Sequence, residues 1–276
     1  MNTYGIAGRT GRGGARRSVG YWGRALTRGD RAPVNDKGTA MGEASIDLSL
    51  VGDLYRKYRE PLAQVRKAQR EFLRETRGRL TPQLDDLEAE ITYLLLRETR
   101  PGTVMELGTF HGWSTTWILS ALRDNGTGTL HSFDIVDNVV SNVPASLSEG
   151  RWRFHRGDVR ENLGEVPGDI GYLFVDAAHN ARFARWYLAE LFPRVAAGTP
   201  VSVHDVFHGR RALPLTEGAV VLSWLRRTGT EYLTVSRRRA PAPYTALLEL
   251  REELGLDEPV RDSTRNPMIY FRMPAA

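Results

Sequence analysis

Two aspartates and a histidine stand in the segments F-V-D-A-A-H-N and V-S-V-H-D-V-F: Asp176, His179 and, 29 residues after the first, Asp205. Each segment closes an apolar run of strand character, which places the acids at strand tips. If the two strands are neighbours in a parallel sheet, Asp176 and Asp205 meet over one crevice. There they repel unless a cation, a proton or a positive substrate lies between them. Mg²⁺ accepts such a site, taking a few carboxylates and keeping positions for water and substrate. A hydroxyl bound to it is more acidic and a better nucleophile. His179 lies three residues past Asp176, at the start of the next helix. From there it reaches the site and can take a hydroxyl proton. Plainer roles compete: Asp176 as the cap of the helix that follows, Asp205 as a turn cap, His204 as a hydrogen-bonded structural histidine.

A second constellation lies upstream, in Glu106-Leu107-Gly108-Thr109-Phe110-His111-Gly112-Trp113-Ser114. Gly108 lets backbone approach a ligand closely, and Gly112 lets the following helix pack tightly on the strand. The helix N-terminus offers free N–H groups to an anion such as a carboxylate. The spacing E-x-G-x-x-x-G is neither the nicotinamide fingerprint nor a P-loop. The next strand, L-H-S-F-D-I-V, ends in Asp134, at the strand tip where a carboxylate accepts from both hydroxyls of a ribose. Gly157-Asp158 closes the third strand, where Asp158 is placed to accept from an adenine amino group.

The elements that must position these residues follow from periodicity. Leu48, Val51, Leu54, Tyr55 and Tyr58 recur at helical spacing, a second helix runs from Pro61 to about Thr76, and Thr81-Pro82 reads as N-cap and N1 of a third. From Thr103 the chain alternates strands and helices: strands at 103–109, 129–136, 152–159, 170–177 and 200–207, helices at 113–125 and 181–196. A helix at 218–227, a strand at 232–237, a helix at 244–254 and a strand at 268–273 complete the set. The expectation is an α/β fold with a doubly wound, mostly parallel seven-stranded sheet, its last two strands forming an antiparallel edge. Residues 41–100 form an N-terminal helical extension, a cap or dimerisation element, before the domain at 101–276. Tyr55, Tyr58, Trp186 and Tyr187 are candidates for a homodimer interface or for core.

The run E-L-G-T-F-H-G-W-S resembles the cofactor loop of catechol O-methyltransferase-like enzymes, and residues from about Leu80 onward resemble the Rossmann-like class I methyltransferase fold. This resemblance implies S-adenosylmethionine as cofactor. Glu106, Gly108 and Ser114 would face its methionine part, Asp134 its ribose and Asp158 its adenine, with Thr109, Phe110, Gly112 and Asp176 completing the contacts. The D-x-x-H segment with a later acid also resembles metal-dependent sugar O-methyltransferases of macrolide biosynthesis, the macrocin and mycinamicin type. It implies His179 as the base and Asp176 and Asp205 as metal ligands. One departure stands out. That family places a second ligand directly after the later Asp, and here the position is Val206, which cannot coordinate. Whether Mg²⁺ takes part is thereby left open.

Composition narrows the field. The chain has 276 residues, 41% apolar and 26% charged, which fits a soluble globular protein without a membrane span, and no cysteine, which excludes disulfides and fits the cytosol. The net charge of +5 is concentrated at one end: residues 1–40 hold eight Lys/Arg against two Asp/Glu, leaving the rest at −1. The body therefore needs no basic nucleic-acid face. Residues 1–40 are Arg- and Gly-rich without sustained period and are expected to be disordered, with Met41 as an alternative start. The substrate expected is a hydroxyl of a small molecule, a sugar or phenol of a secondary metabolite such as an antibiotic. A metal-independent N- or carboxyl-methyltransferase, an RNA methyltransferase using the basic arm, and a non-catalytic cofactor-binding partner are the alternatives.

Overall fold

Along strand β1 (Thr103–Leu107) successive side chains alternate between two faces, and all five residues are buried. Such a strand is covered by helices on both sides. In the computed structural model, which describes residues 45–261, 263 and 268–275, this strand is central to a six-stranded sheet of order β3-β2-β1-β4-β5-β6. The others are β2 (Thr129–Asp134), β3 (Trp152–Arg156), β4 (Tyr172–Val175), β5 (Pro200–Val203) and β6 (Ile269–Arg272). All neighbours pair in parallel except β6, which runs antiparallel to β5 at the edge. The order reverses between β1 and β4, so their carboxyl ends open the crevice where ligands sit in such sheets.

On one face, Val104, Leu130, Tyr172, Phe174 and Tyr270 share a core with α1 (Leu48–Lys57), α2 (Arg59–Glu75), α3 (Asp86–Thr99), α4 (Trp113–Asn125) and α9 (Pro241–Glu253). On the other, Met105, Leu107, Leu173, Val175, Val201, Val203 and Phe271 pack on α7 (Ala181–Trp186) and α8 (Glu217–Thr228). Two short helices, α5 (Asn138–Asn142) and α6 (Ala145–Ser148), lie between β2 and β3.

Three expectations are corrected. The segment 232–237 is not a strand: Leu233 makes a single bridge to Tyr270, with Ala240 N–H donating to the Ser236 carbonyl to close the turn into α9. Among the described residues the sheet therefore has six strands rather than seven. Helix α3 starts at Asp86, not at Pro82, because Asp85 and Glu88 form a capping box that satisfies both ends of the first turn. The helix expected over 181–196 keeps α geometry only to Trp186 and passes through a π turn at 187–191 into a 3₁₀ turn at 192–194. Pro193 lacks the N–H that an α-helix would need there. Residues 1–40, expected to be disordered, lie outside the described residues. No described helix is long and apolar enough to cross a membrane.

Candidate functional site

The carboxyl ends of β1 to β5 surround a cleft of about 690 Å³, a volume typical of small-molecule sites. Gly108 and Phe110 line it from β1, Asp134, Ile135 and Val136 from β2, Gly157, Asp158 and Arg160 from β3. Asp176 and His179 enter from β4, His204 and Asp205 from β5, and Gln83 from the segment before α3. Gly108 holds φ +82°, and a Cβ there would lie 1.9 Å from the Asp176 carbonyl oxygen. Its glycine is thus required by the approach of β4 itself. Gly112, φ +93°, is pressed by Val139 and Val143 of the β2–β3 connection rather than by the strand.

Four residues expected at the cofactor do not line the cleft: Glu106, Thr109, Gly112 and Ser114. Glu106 is fully buried. Its carboxyl accepts from Ser114 Oγ (2.6 Å), Ser132 Oγ (2.6 Å) and Thr115 Oγ1 (2.9 Å), which fastens β1, β2 and the first turn of α4 together. Burial pushes its pKa up to about 7, and the three hydroxyls offset only part of that. The Glu106 carboxyl, expected at the methionine part of the cofactor, thus has its hydrogen bonds within the fold.

Asp134 lines the cleft and organises its rim. Its Oδ2 accepts from the backbone N–H of Thr109 (2.7 Å) and Phe110 (2.9 Å) and from Thr109 Oγ1 (3.0 Å), while Oδ1 accepts from Val136 N–H (3.1 Å). These bonds hold Phe110 at φ +46°, a left-handed conformation strained for an aromatic residue. Phe110, 41% exposed, Ile135 and Val136 form an apolar rim beside it. Asp158 also lines the cleft, with its carboxylate clasped by the Arg160 guanidinium at 2.5–3.0 Å. The Arg160 hydrogen bonds hold the carboxyl below its ordinary range.

Asp176, His179 and Asp205 come together. One ligand atom of each lies within 4.8 Å of the others, and His179 Nε2 is 3.5 Å from Asp176 Oδ1 and 3.5 Å from Asp205 Oδ2. His179 (φ +43°) and Asp205 (φ +52°) both sit in left-handed backbone, as does Phe110. Asp176 is not the cap of α7: Asn180 is, its Oδ1 accepting from Arg182 and Phe183 N–H. His204 is buried between Asp176 (Nδ1 to Oδ1, 3.1 Å) and Glu88 (Nε2 to Oε2, 3.5 Å). Burial works against its charge, yet the carboxylates of Asp176 and Glu88 raise its pKa well above the ordinary histidine value. Burial alone would raise Asp176; His204 and His179 outweigh it and hold the carboxyl below its usual range. His179 is raised too, because Glu217, Asp176 and Asp205 outweigh its desolvation.

The donor set fits a divalent cation. Asp176 and Asp205 supply hard oxygen ligands, and His179 lies within the same group, beside them. Val206, at the position where the resembling family has a further ligand, is buried in the apolar core. Two acids that spacing did not reveal stand behind the histidines, Glu88 and Glu217. Glu88 carried a signal, the D-x-x-E spacing of a capping box. Glu217 carried only the adjoining Gly218, whose Cβ would meet the Val206 carbonyl oxygen at 1.9 Å.

Residues 105–206 match a methyltransferase domain family in sequence. The fold is similar to TomG of Streptomyces achromogenes, an O-methyltransferase of tomaymycin synthesis solved with SAM. That pair shares 15% identity and a TM-score of 0.52 over 78% of this chain and 90% of that one. It is also similar to an O-methyltransferase of Bacillus cereus solved with SAH, at 12% identity and a TM-score of 0.52 over 82% of this chain and 97% of the other. No curated protein matches the chain in sequence. Residues 105–206 therefore resemble a methyltransferase domain, and the chain shares its fold with these two solved O-methyltransferases.

Proposed function

We propose that the protein transfers a methyl group from S-adenosylmethionine to a hydroxyl of a small molecule, in the chemistry of secondary-metabolite sugars or phenols. The observation that carries this reading is the convergence of Asp176, His179 and Asp205 at one end of a cleft whose other end holds Asp134 and Asp158. S-adenosylmethionine supplies the sulfonium methyl, and Asp134, Asp158 and the Gly108–Phe110 turn are the residues to hold it. As the new O–CH₃ bond forms and the S–CH₃ bond breaks, the hydroxyl proton passes to His179 Nε2. Asp176 and Asp205 orient that hydroxyl, and their geometry allows a divalent cation between them, which would make a bound hydroxyl more acidic. Holding the acceptor in line with the methyl group supplies much of the acceleration.

A second reading has its own support. His204 and His179 already face the carboxylates of Asp176 and Asp205, so the acids can share a site without a metal. That arrangement suits a metal-independent N- or carboxyl-methyltransferase. Calorimetric titration of S-adenosylmethionine, with Mg²⁺ and with chelator, separates the possibilities. The expected result is micromolar binding that Asp134→Ala weakens at least tenfold, since that change frees the Thr109 and Phe110 amides and removes the carboxylate. Absence of binding by the folded protein overturns the proposal. Turnover of a panel of phenolic and sugar acceptors that survives chelator supports the metal-free reading, whereas turnover abolished by chelator and restored by Mg²⁺ supports the metal-assisted one.

A further inference from the structure

We infer that Glu217 is a positioning residue for His179: its carboxylate holds ring nitrogen Nδ1 and thereby directs Nε2 at Asp176 and Asp205. The inference rests on His179 being the base of the proposed reaction. Glu217 Oε2 lies 3.3 Å from His179 Nδ1, while Nε2, across the ring, lies 3.5 Å from each aspartate. The His179 side chain is 39% exposed and that of Glu217 only 1%. An exposed imidazole is free to rotate into water, and a buried partner on one nitrogen removes that freedom. A histidine is oriented, and its other nitrogen assigned, by what the first nitrogen donates to.

The placement of Glu217 is built into the backbone. It is the first residue of α8, and a helix-terminal glutamate can satisfy the helix dipole while facing solvent. Here it faces inward, although burying a carboxylate is costly unless it meets a partner. Three contacts fix it there. Gly218 lets the first turn of α8 lie on the Val206 carbonyl, at a distance no Cβ would allow. Thr216 bridges to Asn180, the residue after His179, and Ala181 N–H donates to the Leu215 carbonyl. The segments carrying His179 and Glu217 are thus laced together on both sides of the contact. The consequence is a ring with Nδ1–H donated to Glu217 and Nε2 left as the nitrogen that meets the acceptor proton.

The test is NMR of protein labelled with ¹⁵N-histidine and saturated with S-adenosylhomocysteine, the His179 signals being identified by their loss in His179→Asn. The expected result is a downfield, slowly exchanging Nδ1–H proton on His179 that disappears in Glu217→Met and is retained in Glu217→Gln, which keeps an acceptor. Calorimetric affinity for S-adenosylhomocysteine should stay within about twofold in both variants. A wild-type His179 with no protected Nδ1–H, or a signal that persists in Glu217→Met, overturns the inference. The wild-type spectrum alone decides if Glu217→Met fails to fold. Failure of the underlying reading is a separate result: His179→Asn that methylates an acceptor at the wild-type rate removes His179 as the base while leaving the spectra unchanged.

Discussion

Glu106 is a buried acid whose side-chain hydrogen bonds run to side chains of β2 and α4. Its pKa rises to about 7 in the fold from an ordinary 4.5, so between those values the folded state holds a proton that the unfolded state has released. Stability from this group is full below pH 4.5 and is lost as pH rises to 7, by about 3 kcal/mol at roughly 1.4 kcal/mol per unit. Glu106→Gln keeps the shape and removes the titration. Urea denaturation at pH 5 and pH 8 should show the wild type losing stability relative to the variant at the higher pH; equal pH slopes would refute the assignment. Asp134 is the opposite case. It stands on the cleft, yet most of its hydrogen bonds run to the Thr109–Phe110 turn. Asp134→Asn should therefore weaken cofactor binding through the displaced turn as well as through the lost charge.

At the scale of elements, the glycines of the strand tips decide how closely β4, β5 and α8 can approach. Gly218→Ala places a methyl 1.9 Å from the Val206 carbonyl oxygen, a contact that backbone must yield to. Overpacking of this kind costs about 1–3 kcal/mol. Thermal denaturation should register that loss, and the His179 Nδ1–H signal should weaken in the same variant because α8 carries Glu217. A Gly218→Ala protein of unchanged stability would show that α8 shifts freely. Asn180 as the cap of α7 matters in the same way, since it frees Asp176 from a structural duty and leaves its carboxylate to the cleft.

Over the whole molecule, a buried ionic network joins the N-terminal helices to the C-terminal segment. Arg66 pairs with Glu90, Arg251 reaches Asp86 (3.0 Å) and Glu90 (3.2 Å), and Tyr55 donates to Glu90 (2.7 Å). Asp86 also accepts from the Val260 and Arg261 amides. Tyr55, expected at a dimer interface or in the core, belongs to this buried network. Removing one partner leaves its opposite charge buried and uncompensated, which costs about 3–5 kcal/mol. Arg66→Met should lower the urea midpoint accordingly, and an unchanged midpoint would mean the network carries little. Glu88 extends from the same helix to His204, so the extension braces the carboxyl end of the sheet as well as covering its face.

Much of this molecule was legible in the sequence. The strand–helix alternation, the acid at each strand tip, and the D-x-x-H segment are local patterns, set by side-chain period and by turn chemistry within a few residues. They determined the sheet, its crevice and the candidates Asp134, Asp158, Asp176, His179 and Asp205. What local pattern cannot carry is how a buried polar group is satisfied across elements. Glu106 reads as a ligand in its own segment and becomes a structural acid only when Ser114, Thr115 and Ser132 meet it. The strand expected at 232–237 has the right alternation, but β6 offers Leu233 a single bridge before the chain turns into α9. Glu88 lies 116 residues from His204 and Glu217 lies 38 from His179, and nothing in their own segments says which histidine they will face. Only tertiary packing decided that, because an inward-facing carboxylate is stable only where another element brings it a partner.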